Sequence, residues 1–334
     1  MSYPNQISVG KRLQAESIKH LHGIVDDHLG VIEKRWKKTR KDLRQFIMET
    51  YRANFGNEPW DLARLNYTGA GRALFGGIVN RLEEFKHYSL HEAKAALNTT
   101  YKQSILRHAW ILDQTTPPTF KIVIPHKMRL YEASIVQIYQ GEEAARRWQT
   151  RWSSWVDAYQ SALLSNLQLG AINQSNMADS ADEVDATRAG TPSSDLLDAL
   201  NRIFESQAIY AIAAGERTVA NVNDNADVEE IWQTVHDVRV CDICAPLDGL
   251  TVEDAGMPPE HPNCRCYLRI VPASWADLLR NGDATDIDLA KQMDAHGLVP
   301  NAMAIRDEKG NIVGNTIVSF ADWIADNYHA VVGQ

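Results

Sequence analysis

The sequence predicts an α+β protein that is mainly α, with a long helical N-terminal region and a small α+β domain that carries a cysteine-rich, zinc-knuckle-like loop. Apolar residues recur every three or four positions through most of residues 1–170, which is the helical period. All four cysteines of the chain lie within 26 residues, from Cys241 to Cys266. The 334 residues, 44% of them hydrophobic, allow two or three domains with real cores.

The same periodicity places the individual elements of the N-terminal region. We expect two long helices over residues 8–56, a packed turn at GAGRALFGG (69–77), and a helix from about Leu90 to Leu112. The segment TFKIVIPH (119–126) favours one short strand. A long helix over about 142–169 carries an aromatic and apolar face, which we interpret as buried core rather than a base-stacking surface: Trp148, Trp152, Trp155, Tyr159 and Leu163.

A change of composition divides the chain. Residues 171–194 are rich in Ser, Ala, Asp and Asn, which is typical of a linker or mobile loop. We therefore predict a helical, basic region over 1–170, a linker over 171–194, a small α+β domain over 195–273 and a C-terminal extension over 274–334. The small domain should begin with a helix at about Ser194, and the extension should hold a β-hairpin and a final helix over 320–332.

The two halves of the chain carry opposite charge. Residues 1–170 contain 24 Lys and Arg against 16 Asp and Glu, whereas residues 171–334 contain 10 against 27. Halves of opposite sign indicate that different parts of a chain meet different partners, although the halves could also complement each other. This opposite net charge of the two halves favours an assembly component over a single-domain enzyme.

The densest basic run is EKRWKKTRKDLR, in which seven of eleven residues from Lys34 to Arg44 are Lys or Arg. On a helix, Lys34, Lys37, Lys38 and Lys41 share one face, and we call these four residues, with Arg44, the basic stripe. The stripe could neutralise phosphates of nucleic acid, could meet an acidic protein surface, or could be a solvated helix face.

The cysteine cluster has the composition of a metal site. In a reducing cytosol a Cys-x-x-Cys turn aims both sulfurs at one ion, and a second pair completes a tetrahedral thiolate shell, for which Zn²⁺ is the natural occupant. Five candidate ligands are available for four places: Cys241, Cys244, Cys264, Cys266 and His261. We favour the four cysteines over three cysteines plus His261, and a metal-free cluster of reduced or disulfide-linked cysteines is the remaining alternative.

A structural site is favoured over a catalytic one. A catalytic zinc keeps an open position and a nearby general base, and the His-x-Glu signature of zinc deaminases is missing here because His236 is followed by Asp237 and Val238. The sequence also has no stretch long and apolar enough for a membrane helix and no apolar N-terminal signal core, so we expect a soluble intracellular protein without membrane contact.

The block from Trp232 to Pro272 resembles the phage head morphogenesis family, the minor head proteins typified by the F protein of phage Mu. The residues that carry the resemblance are Trp232, Asp237, Arg239, Cys241, Cys244, Leu247-Asp248-Gly249, Pro258, Pro259, His261, Pro262, Cys264, Arg265 and Cys266. An upstream stretch with Glu216-Arg217-Thr218 and Asn221 is similar to the family's Arg-Thr-Glu…Asn stretch, in altered order.

The resemblance implies a non-enzymatic minor head protein of a tailed phage, which is made in the host cytoplasm and added to the procapsid interior near the portal vertex. It also implies the portal protein and the major capsid or scaffold protein as partners, together with contact to packaged double-stranded DNA. The alternative function is a metal-dependent enzyme, a nuclease or a toxin-like transferase, that uses the Cys/His cluster.

Overall fold

The computed structural model describes most of the helical part of the chain and the cysteine-rich loop. The described residues are 5–56, 62–115, 122–125, 147–173, 181, 184, 192–223, 228–234, 240–261, 264–272, 305–306, 308, 312–314 and 318–332. Long helices dominate these residues, and the strands are few and short, so the expected α+β class with a mainly α composition is confirmed.

The helices and strands follow one another in a simple order. The helices are α1 (Asn5–Phe55), α2 (Leu62–Tyr67), α3 (Gly69–Thr115), α4 (Trp148–Ile172), α5 (Pro192–Val222), α6 (Val252–Ala255) and α7 (Phe320–Val332). The strands are β1 (Val228–Gln233), β2 (Tyr267–Pro272), β3 (Ile305–Arg306) and β4 (Ile312–Gly314), and a short 3₁₀ helix covers Ala245–Leu247. Antiparallel pairing joins β1 to β2 and β3 to β4.

The chain divides into two compact units, and the long helices α1, α3 and α5 contribute residues to both. The bundle unit comprises residues 25–96 and 143–205. The cysteine unit comprises residues 1–24, 97–142 and 206–334. The predicted boundaries at 170, 194 and 273 stay predictions, and most of the predicted linker lies outside the described residues.

Aromatic side chains form the core of the bundle unit. The fully buried Trp36 of α1 has its ring centroid 4.8 Å from Phe85 of α3 and 4.8 Å from Tyr159 of α4. Trp152 is also fully buried, and its indole N–H donates to the Ser89 hydroxyl at 3.0 Å. The predicted core face of α4 is therefore confirmed, with one exception: Trp155 is 43% exposed.

The predicted turn at residues 69–77 is wrong, because α3 begins at Gly69 and runs through the whole segment. Two of the four glycines in this segment, Gly71 and Gly77, serve close packing instead. A Cβ atom at Gly77 would lie 2.2 Å from the Phe46 ring, and one at Gly71 would lie 1.9 Å from the Leu65 carbonyl oxygen. The glycines predict a turn because glycine is typical of turns. In the structure, the lack of a side chain at glycine instead allows another group to lie close to the helix.

Two further element predictions need correction. Residues 8–56 were expected to form two helices, but α1 is a single helix because its apolar period continues without a break through Leu21, Val25, Leu29 and Ile32. The predicted strand over 119–126 is wrong at residues 122–125, which have no regular secondary structure. Instead, the Asn223 side chain accepts from the Val123 backbone N–H at 2.7 Å and donates to its carbonyl at 2.9 Å, which satisfies both groups without a partner strand.

The C-terminal hairpin and helix are confirmed, with β3 and β4 paired and α7 covering Phe320–Val332. The segment that begins α7 contacts the end of α3. The Trp323 indole N–H donates to Asp113 at 2.9 Å, and the Trp110 indole N–H donates to the Val318 carbonyl at 3.0 Å. The Trp110 and Phe320 rings meet edge to face, with their centroids 5.6 Å apart.

Candidate metal centre

The first two cysteines are placed by a tight turn after β1. The backbone N–H groups of Cys244 and Ala245 both donate to the Cys241 carbonyl, at 3.1 and 3.0 Å, and the Cys244 N–H also lies 3.4 Å from the Cys241 sulfur. The 3₁₀ helix Ala245–Leu247 follows directly. The turn holds both sulfurs on the same side, with Cys241 partly exposed and Cys244 buried.

The second group of donors comes from the segment that leads into β2. The Cys264 N–H donates to the His261 carbonyl at 3.1 Å, which closes a turn between these two residues. Cys264 and Cys266 are buried, and Tyr267, the next residue, starts β2. The Cys-x-Cys pair therefore lies just before the strand and not within it.

These turns bring all five predicted donors together. The side-chain donor atoms of Cys241, Cys244 and His261 lie within 4.8 Å of one another, and so do those of Cys244, Cys264 and Cys266. Cys244 belongs to both groups. The His261 Nε2 lies 3.0 Å from the Cys241 sulfur and 3.1 Å from the Cys244 sulfur.

The spacing of the sulfurs suits a tetrahedral ion. Thiolates about 2.3 Å from a tetrahedral zinc stand about 3.8 Å from one another. The Cys244 and Cys264 sulfurs are 3.7 Å apart. The described Cys and His side chains could therefore hold a metal ion, with one donor more than a tetrahedral shell needs.

Burial and hydrogen bonds between the thiols shift their pKa values in opposite directions. A hydrogen bond from Cys266 lowers the pKa of Cys264 to about 5, whereas burial raises the pKa of Cys244 to about 12. The pKa of Cys266 is raised because it donates to Cys264, and that of Cys241 is lowered by the Cys244 backbone N–H. Thiols bind a metal ion as thiolates, so a cation held by these sulfurs would release their protons.

Hydrogen bonds from a turn after the 3₁₀ helix hold the cysteine-rich loop against the end of β1. The Asp248 carboxylate accepts from the Thr234 backbone N–H at 2.7 Å and from the Gln233 amide at 2.8 Å. Gly249 adopts a positive φ of 82°, which glycine accepts without strain, and its N–H donates to the Trp232 carbonyl at 2.8 Å. The buried Trp232 packs against the cluster of Cys244, Cys264 and Cys266.

Residues 160–269 match the family model described as Phage Mu protein F like protein. These residues form a Mu F-like region. The match confirms the resemblance to the phage head morphogenesis family, and it includes all five donors of the cluster. No curated protein and no solved structure matches the chain.

A buried polar network anchors the Mu F-like region to the helices of the cysteine unit. The Glu216 carboxylate on α5 is fully buried, accepts from the Leu268 N–H on β2 at 3.0 Å, and pairs with the His108 ring on α3. Gln14 on α1 donates to Glu216 at 3.1 Å and to the Leu268 carbonyl at 2.8 Å. The His108 Nδ1 lies 2.7 Å from the Ser104 carbonyl oxygen.

Sequence reasoning missed this network. Glu216 was noted only as part of the family resemblance, and no role was assigned to Gln14 or His108. The available signal was polar side chains at core positions of the helical pattern, as with His108 inside the apolar run ILRHAWIL. Burial raises the pKa of Glu216, so the carboxyl group holds its proton more tightly here than in water.

The basic stripe lies outside the Mu F-like region, on the bundle-unit part of α1. Lys34, Lys37, Lys38 and Lys41 are exposed and follow one face of the helix, as predicted, while Arg44 is half-buried. The structure places these residues together, and their role in binding stays a prediction. Asp237 and Arg239, which the family resemblance also involves, lie outside the described residues.

No helix in the described part of the chain has both the length and the apolar character to cross a membrane.

Proposed function

We propose that this protein is a minor head protein of a tailed phage, with a structural role in procapsid assembly near the portal vertex. The observation that carries the proposal is the family match over residues 160–269, which contains the complete Cys/His cluster. Consistent with this role, the protein would be made in the host cytoplasm and end in the virion, inside the capsid.

We propose that the metal is a structural zinc. Among the described residues the sheet next to the cluster consists of β1 and β2, and a two-stranded pair is marginal in water without further support. Zinc bound by Cys241, Cys244 and the Cys264/Cys266 pair would hold the ends of both strands, and its binding free energy would add directly to folding. His261 would be either a fourth ligand in place of Cys266 or a hydrogen-bond donor to the thiolates.

A non-enzymatic role agrees with the chemistry of the described residues. The donors form two groups of three that share Cys244, and an ion held by four of them would have no open position for a substrate or an activated water. The acid–base pair of Glu216 and His108 is 0% and 2% exposed, and both side chains are already hydrogen-bonded within the core.

The partners would meet two surfaces of opposite charge. The loop that holds the cluster exposes Asp242, Glu253, Asp254 and Glu260, and Ile243 at its tip is 59% exposed. This acidic surface, with the exposed Ile243 side chain beside it, suits a basic patch on the portal, capsid or scaffold protein. The basic stripe suits packaged duplex DNA, since each lysine that meets a phosphate releases a counterion.

Complementation tests the assembly role. In a phage whose copy of the gene is disrupted, the intact gene should restore filled heads, whereas a Cys241→Ser, Cys264→Ser double variant should not, because the loop would lose its ion. Ala245→Ser, a change to serine in the same loop at an exposed side chain outside the acidic surface, is the matched control and should restore heads. Filled heads at normal yield with the double variant would contradict the proposal.

Metal analysis and activity assays test the zinc and the non-enzymatic role. The purified chain should contain about one zinc, and removal of zinc should impair assembly without abolishing any turnover. A nuclease or transferase activity that disappears with the zinc would favour the enzyme alternative.

Binding to duplex DNA tests the basic stripe. Lys37→Glu with Lys41→Glu should weaken binding and lower the salt slope of log K by roughly 2, at about 0.9 per phosphate contact. An unchanged affinity and slope would assign the stripe to solvated surface.

A further inference from the structure

A second basic surface lies in the bundle unit, between α4 and α5. It is an open cavity of about 830 Å³, which we call the groove. Its volume falls within the range of about 300–1,000 Å³ that is usual for ligand pockets. The charged side chains that line it are three arginines, Arg147, Arg151 and Arg202, against one carboxylate, Asp198.

The exposed indole of Trp155 lies in the groove. Trp155 is 43% exposed, although its neighbours on either side on the predicted aromatic face, Trp152 and Tyr159, are buried. Trp155 follows Arg151 by four residues on α4, and Arg151 follows Arg147 by four, so the three side chains share one row of the helix surface.

We propose that this groove binds single-stranded nucleic acid, with the arginines on backbone phosphates and an unpaired base stacked on Trp155. Guanidinium groups bind phosphate oxygens in a bidentate manner, and an exposed indole offers a flat face to any base. A duplex would satisfy the arginines but not Trp155, because its bases are already stacked on one another. An acidic protein segment would likewise leave the indole without a base to stack on.

This inference goes beyond the proposed contact between the basic stripe and packaged duplex DNA, since it concerns a different surface and a different form of nucleic acid. Thr150 and Ser154 line the groove from the neighbouring row of α4; the Ser154 hydroxyl donates to the Thr150 carbonyl at 2.8 Å, which leaves the Thr150 hydroxyl as the donor to a phosphate. Ala158, Ala199 and Ile203 complete an apolar wall beside the indole.

The test measures binding of the full chain to a fluorescent 20-nucleotide oligo(dT) by anisotropy over a series of salt concentrations. Arg147→Gln with Arg151→Gln should weaken binding at least tenfold and lower the salt slope by about 1.4, at about 0.7 per phosphate contact with a single strand. Lys19→Gln with Lys102→Gln removes the same charge at exposed side chains outside both the groove and the basic stripe, and it should leave oligo(dT) binding within about threefold. All variants change exposed side chains, so their melting temperatures should match that of the unaltered chain.

A comparison of oligo(dT) with an abasic oligomer, which lacks the bases, isolates the contribution of base stacking to the binding affinity. Trp155→Leu should weaken oligo(dT) binding by about 5- to 150-fold, the usual range for loss of one stacked base. The same change should leave binding of an abasic oligomer of equal length unchanged, and Trp155→Phe should restore most of the oligo(dT) affinity.

Other outcomes would overturn the inference. Equal loss on oligo(dT) and on the abasic oligomer, or tighter binding of a 20-base-pair duplex, would remove the role of Trp155. Competition by poly-glutamate at equal charge concentration would assign the groove to an acidic protein, and equal affinity for thymidine monophosphate would assign it to a small ligand. In each case the effect of the basic stripe on duplex binding is scored separately, so the proposed function stands or falls by itself.

Discussion

Replacement of Glu216 is the sharpest test of how the Mu F-like region is anchored. Glu216→Ala removes the acceptor of the Leu268 N–H and the partner of His108, and it leaves both groups buried. Each buried group left unsatisfied costs about 1–3 kcal/mol, and removing one partner of a buried pair costs about 3–5 kcal/mol. We expect the alanine variant to lose about 3–5 kcal/mol of unfolding free energy.

Glu216→Gln is the matched variant. Its amide keeps an acceptor for the Leu268 N–H and can donate to the His108 ring, but it sets a second donor beside the Gln14 amide. The expected cost is therefore smaller, about 1–2 kcal/mol. Chemical denaturation gives the free energies, and hydrogen exchange of residues 267–272 should rise in the order unaltered chain, glutamine variant, alanine variant.

The pH dependence of the unfolding free energy is an independent test of the role of Glu216. Burial raises the folded-state pKa of Glu216 above its ordinary 4.5, so the folded state binds this proton more tightly than the unfolded state. The contribution of Glu216 to stability is therefore full below about pH 4.5 and is lost as pH rises through the folded-state pKa. The difference in unfolding free energy between the unaltered chain and the glutamine variant should shrink as the pH rises above about 4.5.

Two results would refute this reasoning. One is a glutamine variant as unstable as the alanine variant at every pH. The other is an alanine variant within 1 kcal/mol of the unaltered chain, well below the range expected for a broken buried pair.

Three further changes have expected outcomes of their own. Gly77→Ala should cost about 1–3 kcal/mol by overpacking, whereas Gly76→Ala, where an added Cβ has nothing within 4 Å, should stabilise by about 0.5–1 kcal/mol through helix propensity; equal melting temperatures would contradict the packing role. Cys264→Ser should lower zinc content well below one ion per chain and speed hydrogen exchange over residues 240–272, and full retention of zinc would exclude Cys264 from the ligands. Asn223→Ala should cost about 1–3 kcal/mol, because both backbone groups of Val123 lose their partner, and an unchanged melting temperature would speak against that contact.

The sequence was most informative where one residue type fixes one geometry. The spacing of Cys241, Cys244, Cys264 and Cys266 predicted a common donor cluster because thiols at knuckle spacing have few other uses in a reducing compartment. The final helix over 320–332 was equally direct, since its apolar period and its bounds agree with α7.

The sequence was misleading where a residue serves two purposes. Glycines at 69–77 read as a turn, but Gly71 and Gly77 allow other groups to approach a helix. The buried network could not be foreseen because its members, Gln14, His108 and Glu216, lie on three different helices and meet only in the tertiary structure. Trp155 shared the spacing of buried tryptophans, and only the packing of α4 separates it from them.

The hydrogen bond between Gln14 and the Leu268 carbonyl joins residues 254 positions apart in the chain. At about 5–20 residues per second, a ribosome needs roughly 13–50 s to travel between these two codons. Throughout that interval the first helix exists without the strand that completes its polar contacts, so the nascent cysteine unit must be shielded or left open until translation is nearly finished. Cys264 and Cys266 are also among the last parts of this unit to be synthesised, so the donors of the proposed metal site are complete only after these residues have left the exit tunnel.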